Sequence, residues 1–125
     1  MVRGIGVDII EIDRIQKSIE DSGDRFLQKV FTQKEIEYCS GKANKFQHFA
    51  ARFAAKEAVS KALATGWSGD FLWKDVEVMN EASGAPRVTL YGKLRERLSG
   101  ALVLVSLSHS ESHVVAMALI QEDVS

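Results

Sequence analysis

The chain has 125 residues, 46% of them hydrophobic, and 16 Lys and Arg against 17 Asp and Glu give a formal net charge of −1. That length makes one domain, 1–125, with a real core and no room for a second. The balanced charge disfavours a broad basic field for nucleic acid, and the lone Cys39 excludes an intrachain disulfide, in keeping with a reducing compartment.

Val2 to Ile12 reads as a strand, with β-branched Ile5, Val7 and Ile9 alternating with Gly4, Gly6, Asp8 and Ile10. Charges interrupt this run, unlike the apolar segment of a signal peptide, and no run in the chain approaches the ~18–20 apolar residues of a membrane helix. A soluble cytoplasmic protein is expected. Apolar residues on both strand faces predict burial on both sides. Asp8 shares its face with two glycines, which let another backbone or a ligand come close. Asp13 is placed to cap a short helix from Arg14 to about Ser22, with Ile12, Ile15 and Ile19 inward and Gly23 stopping it. Asp24 to Phe31 fits neither template. Thr32-Gln33-Lys34-Glu35 has the form of a capping box, opening a helix that ends near Ser40-Gly41, and Lys42 to Lys45 is a polar connection.

Phe46 to Thr65 is the longest stretch without Gly or Pro and is rich in strong helix formers. At ~100° per residue, Phe46, Phe49, Ala50 and Phe53 share one sector. Glu57 falls in the middle of that sector, Lys61 at its edge, and Arg52 and Lys56 on its flank. A carboxylate on an apolar stripe is costly to desolvate unless a cation meets it. Two partners are open for Glu57: an i,i+4 pair with Lys61, or a metal shared with another carboxylate.

Trp67 to Phe71 reads as a loop whose aromatics cover the core. Val76 to Met79 and Arg87 to Leu90 are strands around the turn Ser83-Gly84-Ala85-Pro86. Leu90, Leu94 and Leu98 mark a short helix ended by Ser99-Gly100. Ala101 to Leu107 and His113 to Ile120 are the strongest strand signals, joined into a hairpin by the polar link Ser108 to Ser112. The order predicts an α+β fold: a five-stranded antiparallel sheet packed against the long helix, which faces it with Phe46, Phe49 and Phe53. Such a sheet leaves an edge or face uncovered, so self-association is expected.

Asp8 and Glu57 are carboxylates set in apolar elements, and Ser106, Ser108, His109 and Ser110 crowd one hairpin end. Two carboxylates without cysteines or paired histidines favour a hard ion. Mg²⁺ takes one or two carboxylates, keeps waters and completes its shell with substrate phosphate. None of the three histidines has zinc-ligand spacing, and GxSxG, Walker and GxGxxG motifs are absent.

Four segments, GIGVDIIEIDRI at 4–15, RFAAKEAVSKA at 52–62, SGAP at 83–86 and SLSHS at 106–110, occur in an order and spacing that resembles a known family. It is that of the small 4′-phosphopantetheinyl transferases of holo-[acyl-carrier-protein] synthase type, and the resemblance runs across nearly the whole chain. It implies the α+β fold of that family and transfer of 4′-phosphopantetheine from coenzyme A to a serine of apo acyl carrier protein. Adenosine 3′,5′-bisphosphate would leave, and the enzyme would be a homotrimer with sites between subunits. By resemblance, Asp8 and Glu57 hold Mg²⁺, for which Mn²⁺ could substitute, against the coenzyme A diphosphate. Glu57, or a metal-bound water it orients, takes the serine proton, and Lys61 bonds the diphosphate and stabilises or protonates the leaving phosphate. Arg52, Gly84, Pro86, Ser108 and His109 match family positions at the nucleotide end of coenzyme A, and Arg14 and Arg25 match those that dock the acidic carrier protein. The residues alone leave two other readings open. One is a Mg²⁺-dependent hydrolase or transferase acting on another diphosphate. The other is a non-catalytic nucleotide-binding module in which Glu57 pairs with Lys61.

Overall fold

The computed structural model describes residues 1–63 and 71–122. Strand β1 (Val2–Glu11) runs into α1 (Ile12–Ser22), followed by α2 (Asp24–Val30), α3 (Gln33–Ser40) and the long α4 (Lys45–Ala62). A 3₁₀ turn at Trp73–Asp75 leads to β2 (Val76–Asn80) and β3 (Pro86–Leu90). After α5 (Gly92–Arg97) come β4 (Ala101–His109) and β5 (His113–Glu122).

Every strand pairing is antiparallel, as an α+β fold requires. The strands nevertheless form two sheets, β1-β5-β4 and β2-β3, and not one sheet of five. On β2 the edge away from β3 is taken up by helix side chains. The Val78 N–H donates to Glu35 Oε2 at 2.8 Å, and the Val76 carbonyl accepts from Lys56 Nζ. Helix side chains thus occupy groups that a further strand would have paired, and the small sheet ends there.

Helix α4 crosses the larger sheet on one face. A Cβ on Gly4 would run into the Ala62 carbonyl oxygen, and one on Gly6 into that of Ala58. Contact this close leaves room only for glycine on the strand and alanine on the helix, so the phenylalanines do not face the sheet as expected. They point at the other helices and the 3₁₀ turn. Phe49 packs on Phe31 with ring centroids 5.0 Å apart, and Phe53 stacks between Phe26 and Trp73. Arg52 and Lys56, expected on a flank, are among the most buried side chains of α4.

The far face of the sheet is bare. Ile5, Val7 and Ile9 are 63%, 58% and 63% exposed, and Leu102, Leu104, Val115 and Met117 extend the same apolar surface. β1 is therefore covered on one side only, contrary to the expected burial of both.

Several boundaries shift. α1 begins at Ile12 with Glu11 as its N-cap, so Asp13 sits in the first turn, where its charge meets the helix dipole instead of capping it. The ambiguous stretch after Asp24 is α2. The capping box forms as read: Thr32 Oγ1 accepts from the Glu35 N–H, and Glu35 Oε1 accepts from the Thr32 N–H at 2.9 Å. Leu90 belongs to β3, while Leu94 and Leu98 pack α5 into the core. β4 runs on to His109, so Ser108 and His109 stand on a strand and not in the link. Phe71 packs against Trp73, whereas Thr65 and Trp67 lie outside the described residues.

Candidate active site

The inward face of β1 carries Gly4, Gly6 and Asp8, and the two glycines draw the α4 backbone onto the strand. That approach brings the C-terminal half of α4 beside Asp8. Lys61 Nζ lies 3.0 Å from Asp8 Oδ1; the lysine side chain is 55% exposed and the aspartate 14%. The Lys61 ammonium pairs with Asp8, so the intrahelical Glu57–Lys61 pair is not the arrangement found. Glu57 is half-buried between these groups. Burial first, and the negative charge of Asp8 second, push its carboxyl above the usual range, against the opposing charges of Lys61 and Arg14.

This is a pair of hard carboxylates in want of positive charge. One ammonium has already been drawn to it, and the ionised form of Glu57 is still disfavoured. Among the described residues no set of three or more His, Cys, Asp or Glu groups gathers as a full protein cage. Two carboxylates without further protein ligands suit an ion that keeps waters or takes ligands from a substrate.

A second group of the expected residues assembles elsewhere on α4. Arg52 lies five residues before Glu57, ~140° away around the helix. Its Nη2 donates to Asn80 Oδ1 at 2.6 Å, its Nη1 to the His48 carbonyl at 3.5 Å, and its guanidinium lies 4.7 Å from the Tyr38 ring centroid. Arg52 Nε is buried and has no partner among the described residues. Asn80 Nδ2 in turn donates to the Gly84 carbonyl at 3.0 Å. Gly84 has φ 92°, a left-handed conformation that favours glycine, and Pro86 starts β3 opposite Asn80. Arg52, Gly84 and Pro86 are thus brought together through Asn80, which the sequence did not single out.

Ser108 and His109 line a cavity of about 410 Å³ with Ile9, Ser110, His113 and Val115. His109 is near enough to His48 to act on it. Burial, then Arg52, Lys42 and His109, hold the His48 pKa below its ordinary value. Arg14 and Arg25 are exposed on α1 and α2.

The structure also reveals a buried ionic network that sequence reading missed. Lys56 Nζ lies 2.9 Å from Glu35 Oε1 with both side chains at 0% exposure, and it donates to the carbonyls of Trp73 and Val76. Nearby, Glu77 accepts from Thr32 Oγ1 at 2.6 Å and from the Tyr91 hydroxyl at 2.8 Å. The capping box was the only local signal, and it pointed to Glu35 alone. Cys39 sits in the same core, where burial pushes its thiol up to about 12 and makes it unreactive.

Residues 4–118 match the family profile of the 4′-phosphopantetheinyl transferase superfamily. The chain is 44% identical over 125 residues to a holo-[acyl-carrier-protein] synthase of Koribacter versatilis, covering 98% of this chain and 100% of that one. Its fold matches the crystal structure of holo-[acyl-carrier-protein] synthase from Neisseria meningitidis with a TM-score of 0.86 at 29% identity, covering 98% of this chain and 100% of the other. It matches a holo-[acyl-carrier-protein] synthase from Bacillus anthracis, in complex with coenzyme A (3′,5′-ADP), with a TM-score of 0.81 at 34% identity, covering 98% and 99%. No helix among the described residues is long and apolar enough to cross a membrane. With the family profile spanning most of the chain and a 44% identical relative covered end to end, the chain belongs to the 4′-phosphopantetheinyl transferase superfamily.

Proposed function

We propose that the protein is a holo-[acyl-carrier-protein] synthase, transferring 4′-phosphopantetheine from coenzyme A to a serine of apo acyl carrier protein. The observation that carries this reading is the cation-seeking pair Asp8 and Glu57 with Lys61 beside it, in a chain whose relatives carry that activity in their names. In the reaction the serine oxygen bonds to the phosphorus that bears pantetheine. The bond from that phosphorus to the bridging oxygen breaks, and the bridging oxygen leaves on adenosine 3′,5′-bisphosphate.

Glu57 takes the serine proton. Burial and the neighbouring Asp8 carboxylate both favour its protonated form, the state it reaches on accepting that proton. The Lys61 ammonium, more than half exposed, is free to meet the diphosphate and to stabilise or protonate the leaving phosphate. Asp8 and Glu57 fit Mg²⁺, or Mn²⁺ in its place, because both are hard oxygen donors and Asp8 already pairs with a cation, Lys61. When bound there, the ion supplies Lewis-acid neutralisation of charge on the diphosphate.

Arg52, Gly84, Pro86, Ser108 and His109 hold the nucleotide end of coenzyme A in this reading. Arg52 and Glu57 lie on different faces of α4, and the large sheet leaves an apolar face bare. Both features support a working site made between copies of the chain, in a homotrimer of one-domain subunits spanning 1–125. Arg14 and Arg25, exposed on neighbouring helices, offer positive charge to the acidic carrier protein. A cytoplasmic setting, where coenzyme A and carrier protein are at hand, completes the reading.

The test is to incubate the protein with coenzyme A, Mg²⁺ and apo acyl carrier protein and to weigh the carrier. A gain of one phosphopantetheinyl group on its serine is expected. No gain at any Mg²⁺ or Mn²⁺ concentration, or hydrolysis of coenzyme A with no change in the carrier, would overturn the reading.

A further inference from the structure

Asn80 ties the hairpin turn at Gly84 to α4. Asn80 Oδ1 accepts from Arg52 Nη2 at 2.6 Å, while Asn80 Nδ2 donates to the Gly84 carbonyl at 3.0 Å. Asn80 is the last residue of β2, pairs with Pro86, and is itself exposed. The turn backbone holds itself by two further bonds, Glu81 N–H to the Ala85 carbonyl and Gly84 N–H to the Glu81 carbonyl, both 2.8 Å. Those bonds shape the turn without fixing it relative to the helix. On the helix side, Arg52 is 2% exposed with its Nε unpartnered. Its two other contacts are the Tyr38 ring and a long bond to the His48 carbonyl, so Asn80 makes its shortest polar contact.

We propose that Asn80 is a positioning residue that locks the Gly84–Pro86 turn to the Arg52 guanidinium and thereby sets the spacing of the subsite for the adenosine bisphosphate end of coenzyme A. The proposal rests on the transferase reading above. The amide suits the task because it presents an acceptor to the cation and a donor to the carbonyl at once; a carboxylate or an aliphatic chain can do at most one of these. Asn80 touches neither the reacting phosphorus nor the Asp8–Glu57 pair, so its loss acts on coenzyme A binding and not on the chemical step.

The experiment measures KM for coenzyme A, KM for apo acyl carrier protein and kcat in the full-length protein, wild type against Asn80→Leu and Asn80→Asp, with the melting temperature of each. Leu removes both bonds at similar size. Asp keeps the acceptor for Arg52, so the fold keeps that anchor, but turns an oxygen towards the Gly84 carbonyl. KM for coenzyme A is expected to rise about tenfold in Asn80→Asp, the size of one lost hydrogen bond, and at least as much in Asn80→Leu, which loses two, with kcat and KM for the carrier within about twofold of wild type. A purely structural role would move all three together and would overturn the proposal. So would a normal KM for coenzyme A in either variant: normal in Asp means the turn bond is dispensable, and normal in Leu means that any effect of Asp is one of charge. A wild-type protein that transfers nothing would overturn the transferase reading as well, whereas an active wild type with unaffected variants overturns this inference alone.

Discussion

Lys56 and Glu57 stand side by side on α4 and differ in how their charges are met. The Lys56 ammonium is sealed from water and is matched by Glu35 and two backbone carbonyls. Its desolvation, which pulls its pKa down, is opposed chiefly by Glu35. Glu57 is half-buried with a second carboxylate nearby, and both burial and Asp8 work against its ionised form. The first arrangement uses up its charge inside the protein, joining α3, α4 and β2. The second leaves charge unmatched beside solvent, where a cation or a phosphate-bearing substrate can reach it. Matched buried charge holds a fold together, and unmatched charge at an opening is available for chemistry.

The comparison is broken most severely if Glu57 proves dispensable. Glu57→Gln is expected to lower kcat by roughly 10²–10⁴-fold, the span of a lost general base, without lowering the melting temperature, and Asp8→Asn should behave alike. Steady-state kinetics beside thermal denaturation would check it; a stable variant with near-normal turnover would remove Glu57 from the reaction. For its neighbour the pattern inverts. Lys56→Met strands the buried Glu35 carboxylate and should cost about 3–5 kcal/mol of stability in denaturant unfolding, while whatever remains folded keeps its KM for coenzyme A.

Lys61 sharpens the contrast because it is paired yet exposed. Lys61→Met should reduce kcat by about 10²-fold through loss of positive charge at the leaving phosphate. Its stability should change by no more than about 1 kcal/mol, as for any solvent-screened ion pair. The smallest effect concerns pH. Glu57 is held above its ordinary pKa, so the native state binds more protons than the unfolded chain in the window between the ordinary and the raised value. Stability contributed by Glu57 therefore falls as pH rises through that window. Glu57→Gln should accordingly melt above wild type at neutral pH, and the gap should close once the pH drops below the ordinary carboxylate range. A gap that widens in acid would reverse the sign.

Local pattern made much of this legible. Helical periodicity located α4, alternation located β4 and β5, and the two glycines of β1 correctly announced a close backbone neighbour, which is α4. Asp8 and Glu57 stand out in the sequence because each interrupts an apolar pattern, and the structure brings Lys61 beside Asp8. The direction of the phenylalanine stripe could not, because it depends on the sheet accepting only small helix residues at Gly4 and Gly6. Arg52 and Lys56 looked like flank residues because long aliphatic stems hide well and their partners come from distant elements. Nothing in the sequence near β2 tells that Glu35 and Lys56 will occupy its backbone groups. Asn80 carries no local signal beyond ending a strand before a glycine turn.

Asp8 and Glu57, and not the buried network, are expected to hold the reactive centre. Crystals grown with coenzyme A and Mn²⁺, with anomalous scattering recorded at the manganese edge, would test it most directly. An anomalous peak bound by both Asp8 and Glu57 is expected, with Lys61 turned from Asp8 to the diphosphate. A peak remote from both carboxylates, or Lys61 still seated on Asp8 with coenzyme A bound, would contradict it.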